Sequence, residues 1–287
     1  MSGGIVVIPA HNEASVIRRT LAALQPDATV HGVEVLVVCN GCQDETASLA
    51  RLGGARVLEI PQAGKVAALN AGDAATDAYP RIYLDADIEL SPGAVPALLR
   101  ALEGTRPLVA APRHETDLTG ASRVVRSFYR AFENLPYLSF DLVGAGCYAL
   151  NQAGRRRFEG FPDITADDLF VQGLFSDGER VVLDTATFRV RAPRTLTGLL
   201  AVRTRTYAGN AEAQASGMSG HMASTGGSAL RSLLLQVRTG KIRAGDALVY
   251  GLVNLEARRR SARKDGGWLR DDSSRCPDVS GRQRRFR

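Results

Sequence analysis

Short apolar runs and segments of helical period alternate along the first part of the chain. A continuous apolar run of four to eight residues is typical of a strand that is buried on both faces. Apolar residues spaced three and four apart predict an amphipathic helix, as in residues 13–24. The predicted strands are residues 5–9, 33–40, 55–61 and 81–87, and the helices between them are residues 13–24, 46–52 and 65–75. This alternation predicts βαβ units and a largely parallel sheet, an α/β arrangement of the kind that binds nucleotides.

The pattern changes after residue 91, and the second half is predicted to be mixed α+β. A helix should begin near Ser91-Pro92 and run to about residue 102, because proline is favoured in the first turn of a helix. The other predicted elements are strands at 108–114, 143–151, 181–184 and 188–191, a helix at 122–132 and a helix that begins at Asp167. Residues 195–260 are predicted to be mainly helical, with a Gly/Ser-rich loop at 214–228.

The composition is that of a globular protein. The 287 residues are 45% hydrophobic and 23% charged, which supports one large core and excludes a disordered chain. Apolar stretches are well short of the roughly 18 residues that span a bilayer. The four cysteines are too few and scattered for a disulfide scaffold, and the N-terminal sequence lacks the features of a signal peptide. We therefore expect a cytoplasmic protein.

The net charge of +6 is confined to one end of the chain. Residues 1–254 carry 25 basic and 25 acidic side chains, whereas residues 255–287 carry 11 and 5. This distribution gives no reason to expect nucleic acid as a partner. The basic tail, residues 261–287, is predicted to be disordered, and it is either a solvated terminus or an electrostatic contact to an anionic membrane. The apolar and then basic segment 246–260 either lies on a membrane surface or packs against the domain. Residues 246–287 are thus a candidate for peripheral membrane contact.

Two acidic pairs could carry chemistry. Asp85 and Asp87 close a predicted buried strand, where residues i and i+2 share one side and face the crevice in which α/β sheets bind ligands. Paired carboxylates there suit a hard divalent cation that takes its other ligands from a diphosphate, although an exposed strand end also tolerates acids. Asp167 and Asp168 open a predicted helix, where they are either an N-terminal cap or catalytic groups. Cys39 and Cys42 form a C-x-x-C without a second ligand pair, which argues against zinc.

Five segments occur in the order and approximate spacing of the family 2 glycosyltransferases. They are IVVIPAHNEA, VVCNGCQDET, GKVAALNAGD, YLDAD and ITADDLF. The chain resembles this family from residue 5 to about residue 210. The resemblance implies the GT-A fold, a mixed and mostly parallel central sheet flanked by helices, here with a helical C-terminal segment. It implies a GT-A domain at 1–210 with a nucleotide-binding half (1–113) and an acceptor-side half (114–210), then a loop and helical extension (211–260) and the tail (261–287).

The resemblance also implies roles for individual residues. The donor nucleotide would be bound by Pro9, Ala10, Asn12, Glu13, Asn40, Asp44, Lys65, Asp85 and Ala86. Asp85 and Asp87 match the metal-binding DXD pair, which binds Mg²⁺ or Mn²⁺, and Asp167 and Asp168 match a pair whose second member serves as catalytic base. Arg203 and Arg205 are looser matches on the acceptor or phosphate side. Apart from the resemblance, His221 in the Gly/Ser-rich loop is a candidate metal ligand when that loop closes. The run from Cys39 to Cys42 replaces the family's Asp-Asp-Gly-Ser, so the donor base stays open between UDP, GDP and dTDP types.

The function that the resemblance implies is an inverting, metal-dependent transfer of a sugar, of the hexosyltransferase type. A carboxylate takes the proton of the acceptor hydroxyl as its oxygen attacks the anomeric carbon, and a metal neutralises the departing diphosphate. The acceptor could be lipid-linked, a polysaccharide or a small metabolite. Two alternatives are a sugar-phosphate nucleotidyltransferase, although its usual Gly-rich loop is missing after the first strand, and an inactive module that binds nucleotide sugars.

Overall fold

The computed structural model describes residues 3–135, 146–164, 167–215 and 225–263. Within these ranges the strands form one eight-stranded sheet in the order β3-β2-β1-β4-β7-β6-β8-β5. The strands are β1 (Ile5–Ala10), β2 (Glu34–Asn40), β3 (Arg56–Ile60), β4 (Arg81–Leu84), β5 (Glu89–Leu90), β6 (Val109–Asp117), β7 (Cys147–Leu150) and β8 (Arg180–Arg191). The helices are α1 (Ile17–His31), α2 (Thr46–Leu52), α3 (Lys65–Ala74), α4 (Ala94–Ala101), α5 (Arg123–Phe132), α6 (Gln152–Arg155), α7 (Asp167–Gly173), α8 (Leu196–Ala215), α9 (Thr225–Arg238) and α10 (Ala244–Ala262).

The first four strands of this order form the predicted parallel half. β1 pairs in parallel with β2 and β4, and β2 pairs in parallel with β3. Every residue of β1 is buried, as expected for a strand covered on both faces. Val6 and Ile8 point to the core that α1, α2 and α4 cover, whereas Ile5 and Val7 point to the core under α3 and α7.

Helix α3 packs unusually close to the sheet. A Cβ on Gly72 would lie 2.5 Å from Val7 Cγ1 and 3.3 Å from Val38 Cγ2. Glycine at this position therefore allows α3 to approach β1 and β2. Because Lys65 opens this helix, the close packing also fixes the lysine near the ends of those strands.

The second half of the sheet is mixed, as predicted, but two of its strands differ from the prediction. β7 is antiparallel to β4 and β6, β8 is parallel to β6, and β5 is antiparallel to β8. The two short strands predicted at 181–184 and 188–191 are one continuous strand, because β6 pairs along its whole length with an irregularity between Pro112 and Arg113. Residues 89–90 form a short edge strand that the apolar pattern did not indicate.

The C-terminal helices pack on one another and on α5. A core shared by α5, α8 and α10 includes Phe128, Leu199, Val253 and Ala257. α8 continues past residue 210 to Ala215 and α9 begins at Thr225, so helices include both ends of the loop predicted at 214–228. Residues 216–224, 264–287 and the other gaps lie outside the described ranges. No helix within the described ranges is both long enough and apolar enough to cross a membrane.

Candidate active site

Three turns follow parallel strands at one edge of the sheet. β1, β2 and β4 run in the same direction and end at Ala10, Asn40 and Leu84, so residues 11–14, 41–46 and 85–88 leave the sheet at its carboxyl edge. This edge is where open α/β sheets bind ligands. It contains most of the predicted donor-site residues.

The strand predicted at 81–87 is three residues too long, so the predicted placement of Asp85 and Asp87 within a strand is wrong. β4 ends at Leu84, and Asp85 and Asp87 lie in the turn that follows. The Asp85 amide still donates to the Gly146 carbonyl beside β7 at 2.7 Å, and the chain then turns, with the Ile88 amide donating to the Asp85 carbonyl at 3.2 Å. Asp85 and Asp87 therefore do not lie on one side of a strand, contrary to the prediction from the sequence, although both remain at the strand's end.

Asn12 and Asn40 hold the first two turns together. Asn12 adopts a left-handed backbone with φ of 52°, and its Oδ1 accepts from the Gln43 amide at 2.8 Å. The buried Asn40 side chain donates to the Ala10 carbonyl at 2.9 Å and accepts from the Gly64 amide at 2.9 Å. Because Gly64 immediately precedes Lys65, Asn40 connects the turns after β1 and β2 to the start of α3.

Asp44 also joins the turns. Its carboxylate accepts from the amides of Ala14 at 3.1 Å and Thr46 at 3.0 Å, and from the Thr46 hydroxyl. Burial alone would raise the pKa of Asp44, but these hydrogen bonds outweigh it and hold the pKa below its ordinary value. Asp44 is therefore a carboxylate at neutral pH, and part of its hydrogen-bonding capacity is used within the turn.

Cys39 and Cys42 lie in the same region as free thiols. Cys42 Sγ donates to the Ala10 carbonyl at 3.3 Å and accepts from the Asn12 amide at 3.5 Å. Burial raises the pKa of Cys39 to about 12, so this sulfur is a protonated thiol at neutral pH. Cys42 thus supports the turn after β1, whereas Cys39 is buried within β2.

Lys65 brings the two acidic pairs into one cluster. Its Nζ lies 2.7 Å from Asp85 Oδ1 and 2.8 Å from Asp167 Oδ1. The Lys65 and Asp85 side chains are about one third exposed, at 35% and 36%, whereas Asp167 is 4% exposed. A single ammonium therefore links the acid after β4 to the acid that opens α7.

The charges in this cluster depend on one another. Burial raises the pKa of Asp85; Lys65 opposes this effect, and the negative charges of Asp167 and Asp87 add to it. Burial alone would lower the pKa of Lys65, but Asp167 and Asp85 raise it above its ordinary value. Three carboxylates thus share a small volume with one lysine, so their negative charge is only partly neutralised.

Tyr148 was not singled out by the sequence, yet it contacts the cluster directly. Its buried hydroxyl donates to Asp167 Oδ2 at 2.9 Å. Burial raises the pKa of Tyr148 well above its ordinary value, and the neighbouring Asp167 carboxylate raises it further. Asp167 is therefore held from both oxygens, by Lys65 and by Tyr148. Asp168 follows it in the first turn of α7, where its Oδ1 accepts from the Leu169 amide at 2.9 Å.

The donor atoms fit a hard divalent cation. Asp85 and Asp87 offer carboxylate oxygens, the ligand type that Mg²⁺ and Mn²⁺ prefer. Among the described residues, no group of three or more His, Cys, Asp or Glu side chains is arranged to bind a metal ion. A cation held by two carboxylates takes its remaining ligands from water and substrate phosphates, which is the usual arrangement for these ions. Burial, and to a smaller extent the nearby charges of Asp167 and Asp87, raise the pKa of Asp85, and a bound cation would favour its ionised form.

The other predicted residues occupy different positions. Pro9 and Ala10 are buried at the end of β1, Glu13 is half-buried in the turn, and the Ala86 carbonyl accepts from Thr20 Oγ1 at 2.7 Å. Arg203 and Arg205 lie on α8, and the Arg203 guanidinium donates to Asn254 Oδ1 at 3.1 and 3.0 Å. Arg203 therefore contributes to the packing of α8 on α10, and its assignment to the acceptor side stays a prediction. His221 lies outside the described residues.

Known proteins are similar to this chain over part of its length. The family model described as Glycosyl transferase family 2 matches residues 5–158. An uncharacterised glycosyltransferase of Mycobacterium bovis is 33% identical over 108 residues, which are 38% of this chain and 47% of that protein. Uncharacterised glycosyltransferases of Mycobacterium tuberculosis match with the same values. The match thus spans about half the length of these curated relatives.

A solved structure supports the fold. A mannosyltransferase from Pyrobaculum calidifontis, in complex with GDP-Man and Mn²⁺, matches with a TM-score of 0.61 and 18% identity over 91% of this chain and 74% of that one. At this identity the match shows a shared fold. The predicted GT-A architecture, a mixed and mostly parallel sheet flanked by helices with a helical C-terminal segment, is confirmed.

Proposed function

The chain belongs to glycosyl transferase family 2, and we propose that it transfers a hexosyl group from a nucleotide-sugar donor to an acceptor hydroxyl, with inversion. The observation that carries this proposal is the pair of salt bridges made by Lys65. They join Asp85, in the turn after β4, to Asp167 at the start of α7. The acids assigned to the donor and to the acceptor therefore belong to one site. A binding module without catalysis would not need this second acidic pair beside the first.

The donor nucleotide is proposed to lie along the carboxyl edge of β1, β2 and β4. Pro9, Ala10, Asn12, Glu13, Asn40, Asp44, Lys65, Asp85 and Ala86 are the residues assigned to it. Asn12, Asn40 and Asp44 support this assignment because they fix the turns against one another before any ligand binds. A site that is ordered in advance loses less conformational entropy when it binds.

Asp85 and Asp87 are proposed to hold Mg²⁺ or Mn²⁺. A divalent cation bound there would neutralise charge on the diphosphate leaving group. The Pyrobaculum calidifontis mannosyltransferase of the same fold is described in complex with Mn²⁺ and GDP-Man, which supports this assignment. The Lys65 ammonium, which is protonated because two carboxylates raise its pKa, is available as a second positive charge for the diphosphate.

Asp168 is proposed to be the general base. It would accept the proton of the acceptor hydroxyl while that oxygen attacks the anomeric carbon on the face opposite the departing nucleotide, which inverts the configuration. Asp168 is the second member of the pair, to which the family resemblance assigns this role, and Asp167 is bonded by Lys65 and Tyr148. Asp167 would then orient the cluster.

The remaining assignments follow the sequence. The donor is of the UDP, GDP or dTDP type, and the acceptor is a hydroxyl of a lipid-linked sugar, a polysaccharide or a small metabolite. The GT-A domain is residues 1–210, followed by the extension 211–260 and the tail 261–287. The reaction is proposed to take place in the cytoplasm, with peripheral contact to the inner face of a membrane through residues 246–287.

Replacement of the proposed base tests the function. Thermal shifts with UDP, GDP and dTDP hexoses, with and without Mn²⁺, identify the donor, because a ligand that binds the native state raises its melting temperature. Transfer of that donor is then measured to glycolipid, polysaccharide and small-sugar acceptors. Asp168→Asn should keep the donor-induced thermal shift and lose transfer by about 10²–10⁴-fold, the usual contribution of a general base.

The matched control is Asp163→Asn, which neutralises an exposed acid only a few residues away. It should keep both the thermal shift and the transfer rate. Transfer by Asp168→Asn at about a tenth of the wild-type rate would show that another group is the base.

A further inference from the structure

The exposed apolar side chains of this protein are concentrated on α9 and α10. Of the ten large hydrophobic side chains that are exposed within the described residues, six are leucines of these two helices. They are between 57% and 66% exposed: Leu230, Leu234, Leu235, Leu248, Leu252 and Leu255. Single exposed leucines are common on protein surfaces, but a cluster on two consecutive helices indicates an interaction surface.

On α10 the exposed leucines form a continuous stripe. Leu248, Leu252 and Leu255 are spaced four and three residues apart, which places them on one side of a helix. The opposite side of α10 is already packed, because Val253 and Ala257 are buried in the core shared with α5 and α8. The leucines are therefore not needed to attach the helix to the domain.

The segment that carries these leucines is rich in positive charge. Residues 225–263 carry eight basic and two acidic side chains, whereas residues 1–224 carry 21 and 24. Of the two acids, Asp246 is buried against Arg130, and Glu256 bonds to Arg260 at 2.8 Å. Arg231 and Arg238 lie on α9, and Arg258, Arg259 and Arg260 end α10. The surface is thus apolar and basic together.

We propose that the exposed leucine face of α9 and α10 binds the surface of an anionic lipid membrane without crossing it. Leucines beside arginines are the combination with which an amphipathic helix enters the boundary between headgroups and acyl chains. The arginines would pair with anionic headgroups, which attract juxtamembrane basic residues. A second copy of this chain fits the same face less well, because two like-charged surfaces would meet.

This inference rests on the membrane location proposed above but not on the transfer reaction. It also assigns the contact to folded helices rather than to the basic tail. The membrane inference and the proposed transfer reaction can therefore be tested separately. Vesicle binding tests the surface, and transfer to a water-soluble acceptor tests the catalytic site.

The test is co-sedimentation of the full chain with vesicles. Vesicles of phosphatidylcholine alone are compared with vesicles that contain about 30% phosphatidylglycerol, at low and high salt. The wild type should bind the anionic vesicles, and salt should weaken binding because it screens the arginines. Leu248→Gln with Leu255→Gln should reduce binding by about tenfold or more, since two apolar anchors are removed while helix propensity is kept.

The matched control is Val30→Gln with Leu52→Gln. These side chains are 78% and 83% exposed on α1 and α2, so the same number of exposed apolar groups is removed elsewhere. The control should bind vesicles like the wild type, and both double variants should keep the wild-type circular dichroism spectrum.

Three results would overturn the inference. They are vesicle binding that survives the loss of both leucines, equal binding to neutral and anionic vesicles, and a solution dimer that these substitutions dissociate without any vesicle binding. Transfer to a soluble acceptor separates the two proposals. If transfer persists while vesicle binding is absent, only the membrane inference fails, and if vesicle binding persists while transfer is absent, only the proposed reaction fails.

Discussion

Tyr83 and Tyr148 are neighbouring buried tyrosines that donate hydrogen bonds to different acids. They stand opposite each other on the antiparallel strands β4 and β7, with ring centroids 5.1 Å apart. Tyr148 donates to Asp167 at 2.9 Å, and Tyr83 donates to Asp73 at 2.7 Å. Burial raises the pKa of both hydroxyls well above the ordinary value, so both remain protonated donors. Only Tyr148 contacts the proposed catalytic cluster.

This pair gives a prediction with an internal control. Tyr148→Phe removes the donor to the buried Asp167 Oδ2 and should lower the free energy of unfolding by about 1–3 kcal/mol. Tyr83→Phe removes one of two donors to Asp73 Oδ1, which Arg81 also bonds, and should lower it by about 1 kcal/mol. Only Tyr148→Phe should also lower the transfer rate, because Asp167 loses one of the two bonds that orient it. Urea denaturation and steady-state transfer assays check both effects, with a lower kcat and a donor KM close to wild type expected for Tyr148→Phe. Equal transfer rates for the two variants would show that Tyr148 is only structural.

At the scale of residues, the sequence predicted the acids but not their partners. Asp85, Asp87, Asp167 and Asp168 belong to local segments that resemble a family pattern, so short stretches of sequence are enough to find them. Lys65 was assigned to the diphosphate, yet here its ammonium bridges two acids that are remote in sequence. Such a contact depends on how α3, β4 and α7 meet, which no local pattern contains.

Helix α10 is attached to α5 by one buried acid as well as by apolar packing. Asp246 accepts from Arg130 Nε at 2.9 Å and Nη2 at 2.7 Å, and also from the Ser127 hydroxyl. The hydrogen bonds from Arg130 lower the pKa of Asp246 below its ordinary value, and burial only partly opposes them. This acid therefore stabilises the helix in its ionised form.

The sign of the shift sets a pH dependence for this attachment. Because the folded pKa is lowered, the stabilisation is fully present above the unfolded value of about 3.9 and is lost as pH falls through the folded pKa. Asp246→Asn should therefore lower the free energy of unfolding by about 1–3 kcal/mol at pH 7 and by less at pH 3. Urea denaturation at both values checks this.

The control for this prediction is Glu256→Gln on the same helix. Glu256 pairs with Arg259 and Arg260 at the surface, so its removal should change stability little. A loss for Asp246→Asn that is the same at both pH values would mean that the effect comes from packing rather than from the charge.

Elements with a clear period were predicted closely, and their ends were not. α2 has the predicted bounds, Thr46–Leu52, and α3 ends one residue before the prediction. α1 was expected to end at residue 24 but continues to His31 with Pro26 inside it, and the buried Ala28 shows that packing against the sheet holds the added turns. The end of β4 and the length of β8 depend on pairing with β7 and β6, and pairing partners are not readable from one strand's sequence.

At the scale of the whole molecule, one buried network joins the two predicted halves of the domain. Asp73 of α3 accepts from Arg81 of β4 at 2.7 Å, from Tyr83 at 2.7 Å and from Arg155 of α6 at 2.6 Å. The side chains of Asp73, Arg81 and Arg155 are all less than 10% exposed. This network could not be predicted from the sequence, since nothing in the local pattern brings residues 73 and 155 together.

A buried charge network is sensitive to the loss of one member. Asp73→Asn would leave Arg81 and Arg155 buried without a carboxylate, and breaking a buried ion pair in this way costs about 3–5 kcal/mol. Because α3 carries Lys65 and Asn70 binds the backbone of Phe161, this loss should loosen both halves and the catalytic cluster together. We expect one cooperative urea transition at a lower midpoint. Circular dichroism and tyrosine fluorescence should both report this same transition.

Glu34→Gln provides the comparison, because Glu34 pairs with Arg56 at the surface, where both side chains are more than 40% exposed. Removal of that pair should change stability by about 1 kcal/mol or less. If Asp73→Asn were as stable as Glu34→Gln, the arginines would have found other acceptors and the halves would be held together by apolar packing alone. If the two probes instead gave separate transitions, residues 1–113 and 114–210 would unfold independently, and the network would not couple them.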